Sequence, residues 1–137
     1  MATYNKFNSF VANIANKKYN LGSDQLAVAL TAAANAPVAT NVALADLTVI
    51  SYTNLSTRNI TTTSSTQTSG TYSLILGVLT LTASGAVATF RYVAIYDTAA
   101  TSFELIGWYD YGSNVTLANG DQFIINFDQT NGLLQIA

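Results

Sequence analysis

The chain has 137 residues, 50% of them hydrophobic and 9% charged, with no Cys, no His and a formal net charge of −2. This length gives one domain with room for a sizeable core, and the missing Cys and His exclude disulfides, zinc–thiolate sites and His-based triads. Charge far below the ~25% of an ordinary soluble domain leaves a surface of Ser, Thr, Asn and Gln, or one covered by partners, and so points to a subunit of an assembly.

The charge is unevenly placed. Lys6, Lys17 and Lys18 precede the first acid, Asp24, and from there on two arginines face seven acids, Asp24 included. A basic start on an acidic body suits docking. Three lysines fall short of the dense basic patch that nucleic acid requires. No run of ~20 apolar residues is present to span a membrane, and residues 1–20 lack the apolar core of a secretory signal.

Tyr4, Phe7, Phe10, Val11 and Ile14 recur at steps of three and four, which predicts a short helix over residues 3–16 capped by Thr3. Asn5, Asn8 and Asn13 are indifferent helix formers, so packing has to hold it. Residues 1–20 are therefore either a helix lying on its own sheet or an arm docked on a neighbour. In the arm reading Tyr4, Phe7, Phe10, Val11 and Ile14 insert as apolar anchors and Lys6, Lys17 and Lys18 form the rim.

Residues 21–137 read as short strands separated by turns. Leu26, Val28 and Leu30 alternate within residues 25–31, a half-buried strand. The only proline, Pro37, interrupts the pattern, and a weaker strand follows around Leu47–Ile50. The run ITTTSSTQTSG over residues 60–70 fits an edge strand, since Thr favours strands and a polar edge resists pairing with other chains. A long strand is expected over Tyr72–Thr82.

Residues 87–112 hold the only Trp and the only Glu. They predict a hairpin with Ile95 opposite Leu105, Tyr92 opposite Trp108 and Arg91 opposite Tyr109. Both faces are largely apolar, so it should be central and covered on each side; its loop, Thr98–Ser102, leaves room for a slip. Asn119-Gly120 and Asn131-Gly132 each sit between apolar segments, the strongest short hairpin signal, which pairs Phe127 with Ile136. The count is a two-sheet antiparallel all-β sandwich, jelly-roll or immunoglobulin-like, with a short N-terminal helix or arm.

No motif carries chemistry. Glu104 and Asp110 lie six residues apart on one strand, ~20 Å, too far to share a cleft as a carboxylate pair. Arg91 should pack its stem and give its head to a carboxylate or carbonyl. Asp128–Gly132 lacks the alternating ligands of a calcium loop and reads as a turn. These observations favour a non-enzymatic protein without metal or cofactor.

Several segments are familiar as a set. They are Tyr4…Phe7…Phe10; Gly22-Ser23-Asp24 leading into Leu26–Thr31; Ala36–Asn41; Ser64–Tyr72; Phe90-Arg91-Tyr92; Leu105–Gly112; and Gly132-Leu133-Leu134. Together, in order over nearly the whole chain, they resemble a family of small proteins encoded among the structural genes of tailed bacteriophages. Such proteins are similar to capsid decoration, or cement, proteins: β-sandwich subunits on the outer shell, typically trimers. The resemblance implies a virion protein on the capsid outer surface that binds the major capsid protein, self-associates, and uses neither nucleic acid nor membrane. The alternative is a carbohydrate-binding tail or fibre module built on the aromatic hairpin.

Overall fold

A computed structural model describes residues 2–137. Ten strands and one helix run in the order β1 (Thr3–Lys6), α1 (Ser9–Ala15), β2 (Leu26–Thr31), β3 (Asn59–Ile60), β4 (Thr62–Thr68), β5 (Thr71–Leu76), β6 (Leu79–Thr82), β7 (Phe90–Asp97), β8 (Leu105–Val115), β9 (Gln122–Ile125) and β10 (Leu134–Ile136). All pairing is antiparallel. One layer is a five-stranded sheet, β1-β8-β7-β2-β3; the other consists of two small sheets, β10-β5-β4 and β6-β9. The fold is the expected all-β sandwich with a short helix near its N-terminus. No helix among the described residues is long and apolar enough to cross a membrane.

The large sheet is buried on both faces. Val28, Leu30, Val93, Ile95 and Ile106 join the main core with Leu74, Leu76 and Leu81 of the opposite layer. Ala27, Ala29, Ala94, Tyr96 and Leu105 form a second cluster on the other face, with Phe7 inside it and Leu44, Leu47 and Trp108 packed against it. All six residues of β2 are buried, as strands covered on both sides are.

The β7–β8 hairpin forms with a different register. Tyr92 pairs with Asp110, Val93 with Tyr109, Ala94 with Trp108 and Ile95 with Gly107. This is a slip of two residues from the expected alignment, and a slip of two preserves the faces because side chains alternate with period two. The ladder shifts again between Ile95 and Tyr96, where β8 carries one extra residue. That bulge puts Ile106 in the main core and Leu105 in the second cluster, the reverse of the simple alternation.

The N-terminal helix is shorter than predicted. Thr3–Lys6 is a strand, the edge of the large sheet, with Tyr4 opposite Tyr109 and Lys6 opposite Gly107. Its one aromatic, Tyr4, stands three residues before Phe7 and six before Phe10, so a strand and a helix in succession mimic one helical stripe. The helix ends with Lys17 at φ 57°, its N–H on the Ile14 carbonyl and the Lys18 N–H on that of Asn13. This is a Schellman cap with lysine where glycine is usual.

Both Asn-Gly pairs turn the chain without making the expected hairpins. Gly120 and Gly132 take positive φ but neither asparagine does, so the type I′ geometry that aligns two flanking strands is absent. β9 instead pairs with β6, and β10 with β5; Phe127 and Ile136 do not meet as partners. The type I′ turn is at Ser69-Gly70, both at positive φ (50° and 85°), joining β4 and β5. β4 is an edge strand, as its Ser/Thr composition predicts. The long strand over Tyr72–Thr82 is broken at Gly77-Val78, and Leu47–Ile50 contributes one isolated bridge, Thr31 to Val49.

Candidate functional site

The residues proposed as an anchoring stripe divide between the core and the surface. Phe7 is 0% exposed and its ring lies 4.5 Å from that of Trp108; Phe10 is 5% exposed and stacks on Tyr19 at 5.6 Å. These two sit in different clusters, because the chain passes round the edge of the large sheet between them. Tyr4 and Ile14 pack against the main core. Burial, not docking, therefore employs Tyr4, Phe7, Phe10 and Ile14 in this state, and residues 3–15 belong to the sandwich rather than to a separate arm. Lys6, Lys17 and Lys18 are exposed, and Val11 is 56% exposed. Lys17 and Lys18 follow the helix C-terminus, where cations complement the unpaired carbonyls. Tyr19 ties the helix down: its hydroxyl donates to the Leu105 carbonyl at 2.6 Å and accepts from Asn13.

Tyr4 lies across Gly107. A Cβ on Gly107 would collide with the tyrosine ring, so the glycine exists to admit the aromatic, as an aromatic covers a strand glycine elsewhere. The Tyr4 hydroxyl is buried without a hydrogen-bond partner; burial first and Tyr109 second hold its pKa well above the usual phenol range.

The sequence did not reveal an aromatic groove on the surface. A groove of about 820 Å³ runs between the β1/β8 end of the large sheet and the segment Phe123–Leu133. Tyr4, Tyr109 and Val93 form its floor, Phe123, Ile125 and Phe127 its wall. Tyr111 stands at the rim, 52% exposed and edge-on to Phe123 at 5.2 Å. Among the described lining residues Asp128 is the one that carries a charge. Its carboxylate accepts from the Asn131 and Thr130 backbone and from the Asn131 side chain, which lowers its pKa; burial, then Asp128, pushes Tyr109 up to about 12. The groove combines strands distant in sequence, so no local pattern announces it. Trp108 is elsewhere, on the opposite face with Phe7 and Leu47.

The remaining charges have structural partners. Arg91 forks onto Asp110, Nε to Oδ1 at 2.8 Å and Nη2 to Oδ2 at 3.0 Å. That pairing first, and the Gly112 amide second, lower the Asp110 pKa. Glu104 is buried and accepts from the Ser102 N–H. Asp97 is fully buried at the end of β7; its Oδ1 accepts from the Ala99 N–H. Its Oδ2 meets no donor, but it faces the Asp24 carboxyl. Burial first, and the Asp24 carboxyl second, push Asp97 up to about 7, because both disfavour its charged form. Among the described residues no three His, Cys, Asp or Glu side chains converge to hold a metal.

A second apolar patch lies at the far side of the second cluster. Phe103 is 46% exposed at φ 55°, beside Val42, whose carbonyl accepts from the Leu105 N–H. A bulky residue in the left-handed region is strained. Compared with known proteins, the chain matches no family model, no curated protein and no solved structure.

Proposed function

We propose that the protein is a virion decoration protein that binds the assembled major capsid protein on the outside of a phage head and stabilises it. The observation that carries this reading is the surface. Few charges cover it, and Val11, Val42, Phe103, Tyr111 and Ile124 are exposed on it, a pattern suited to being covered by a lattice. The resemblance over nearly the whole chain supports the same reading. Each subunit binds the assembled lattice and not free capsid protein, which stabilises the assembled state by mass action; many weak copies act together. The docking surface of the N-terminal segment is then its outer side, Lys6, Val11, Lys17 and Lys18, held in place by Tyr4, Phe7, Phe10 and Ile14. A trimer is the oligomer favoured.

Fractionation of the phage particle tests the proposal. Decoration requires a copy number near that of the capsid protein; a handful of copies per particle sinks it. Changing Lys6, Lys17 and Lys18 together to Ser should weaken binding to heads modestly, and mainly at low salt.

The second reading, a carbohydrate-binding tail or fibre module, is favoured by the aromatic groove around Tyr109, Tyr111 and Phe123. It predicts that Tyr111→Ala abolishes retention on an immobilised glycan while leaving head binding intact.

A further inference from the structure

The smaller layer stops short of the larger one. β9 pairs with β6 alone. The Ser56 N–H donates to the Thr82 carbonyl, and the Thr82 N–H to Ser56 Oγ at 2.9 Å, so the backbone of Thr82 faces away from β9. Antiparallel ladders alternate between bonded and non-bonded pairs. The bonded pairs are therefore Leu81–Phe123 and Leu79–Ile125 in the observed register. The N–H and C=O of Gln122 and Ile124 then point off the free edge. The groove touches every residue from Phe123 to Phe127, as a channel along a strand edge does and one over a sheet face does not.

This edge is the one left unguarded. β4 is all Ser, Thr and Gln, β1 carries Lys6, β3 and β10 are two and three residues long, and the outer side of β6 bonds to Ser56; polarity, charge, shortness and cover are the devices by which edges avoid pairing. β9 has no lysine and no proline, and Ile124 is 56% exposed. Beneath the edge, Val93, Tyr109 and Tyr4 lie side by side in register on β7, β8 and β1. The large sheet thus continues past β9. A second folded copy bringing its own β9 alongside would drive its large sheet into this one, whereas a lone extended segment fits. Among the described lining residues Asp128 is the only charged one.

We propose that the free edge of β9 is a strand-addition site for an extended segment of the lattice protein. The segment's main chain pairs with Gln122 and Ile124, its inward side chains are apolar and rest on Tyr4, Tyr109 and Val93, and a basic residue meets Asp128. This rests on the decoration reading and names the contact through which it acts.

Amide hydrogen exchange on the full chain, free and bound to purified heads, tests it. Exchange at Gln122 and Ile124 should slow by about tenfold or more on heads, and Ile124→Pro, which removes only an outward N–H, should weaken head binding by about tenfold without shifting the melting temperature. Head binding with both amides exchanging as in the free protein overturns the strand-addition site and leaves decoration standing. Failure to bind heads at all overturns decoration and this site with it. Slowing that follows protein concentration alone identifies a second copy as occupant. Slowing on addition of chitohexaose or maltohexaose, without heads, identifies a glycan. Either result overturns the proposal.

Discussion

The two layers of the sandwich are built on different terms. The large sheet is covered on both faces, and the middles of its strands read as apolar runs: LAVAL in β2 and YVAIY in β7. The small layer is covered on one face, and β6, LTLT, alternates between buried and exposed. Two-sided burial fixes residues by packing; one-sided burial leaves main chain and side chains free at the edge. Stability should therefore reside mainly in the large sheet, and main-chain recognition at the free edge of the small layer.

The largest effect should come from the N-terminal segment, which the structure assigns to the large sheet. Phe7→Ala should cost ~3–5 kcal/mol in urea unfolding, as loss of a fully buried aromatic does. Ile124→Ala on the small layer should stay within ~0.5 kcal/mol. Equal small costs for both would restore the picture of a loose arm and break the contrast.

Next comes the Asp24–Asp97 pair at the end of β7. Asp97 is raised to about 7 in the folded chain, against an ordinary carboxyl near 4 when unfolded. The folded state holds its proton longer, so the stabilisation is complete below pH ~4 and is lost as pH rises through ~7. Melting temperature should fall across that window in wild type. A parallel fall in Asp97→Asn would remove Asp97 as its source.

Gly107→Ala should cost ~1–3 kcal/mol by expelling the Tyr4 ring, and the amides of β1 should exchange faster while those of β2 do not. Unchanged exchange in β1 would show that the strand is held without its tyrosine. The smallest change belongs to the small layer. Ser69→Asn should stabilise by ~0.5 kcal/mol in thermal unfolding, because asparagine tolerates the left-handed position of a type I′ turn better than serine. A loss instead would mean that the turn is set by the strands, not by its own residues.

Legibility in the sequence divides along the same line. β2, the doubly covered hairpin and the polar edge β4 are readable because burial leaves a periodic trace. The register of β7 with β8 is not, since a two-residue slip leaves each face unchanged, and the bulge at Ile106 has no compositional mark. β1 is lost in a helical pattern because Phe7 and Phe10, three apart, serve opposite faces of one sheet rather than one face of a helix. The Asn-Gly turns mislead because partner choice for β9 and β10 is decided by β5 and β6, far away in sequence. Of the candidate site, Lys6, Lys17 and Lys18 are legible as surface from their charge, whereas Val11, read as part of the apolar stripe, parts from its buried neighbours and stays exposed. The groove brings Tyr4 to Phe127, a juxtaposition that no local window contains.

The pairing of β1 with β8 also orders events during synthesis. β1 is made about a hundred residues before its partner, Leu105–Val115, so Tyr4 and Phe7 leave the ribosome long before the surfaces that receive them exist. Through most of translation the nascent chain exposes these aromatics beside the basic Lys6, and non-local contacts of this kind close slowly. The interval between the synthesis of β1 and that of β8 is when these aromatics are most open to capture by chaperones or by other copies of the chain.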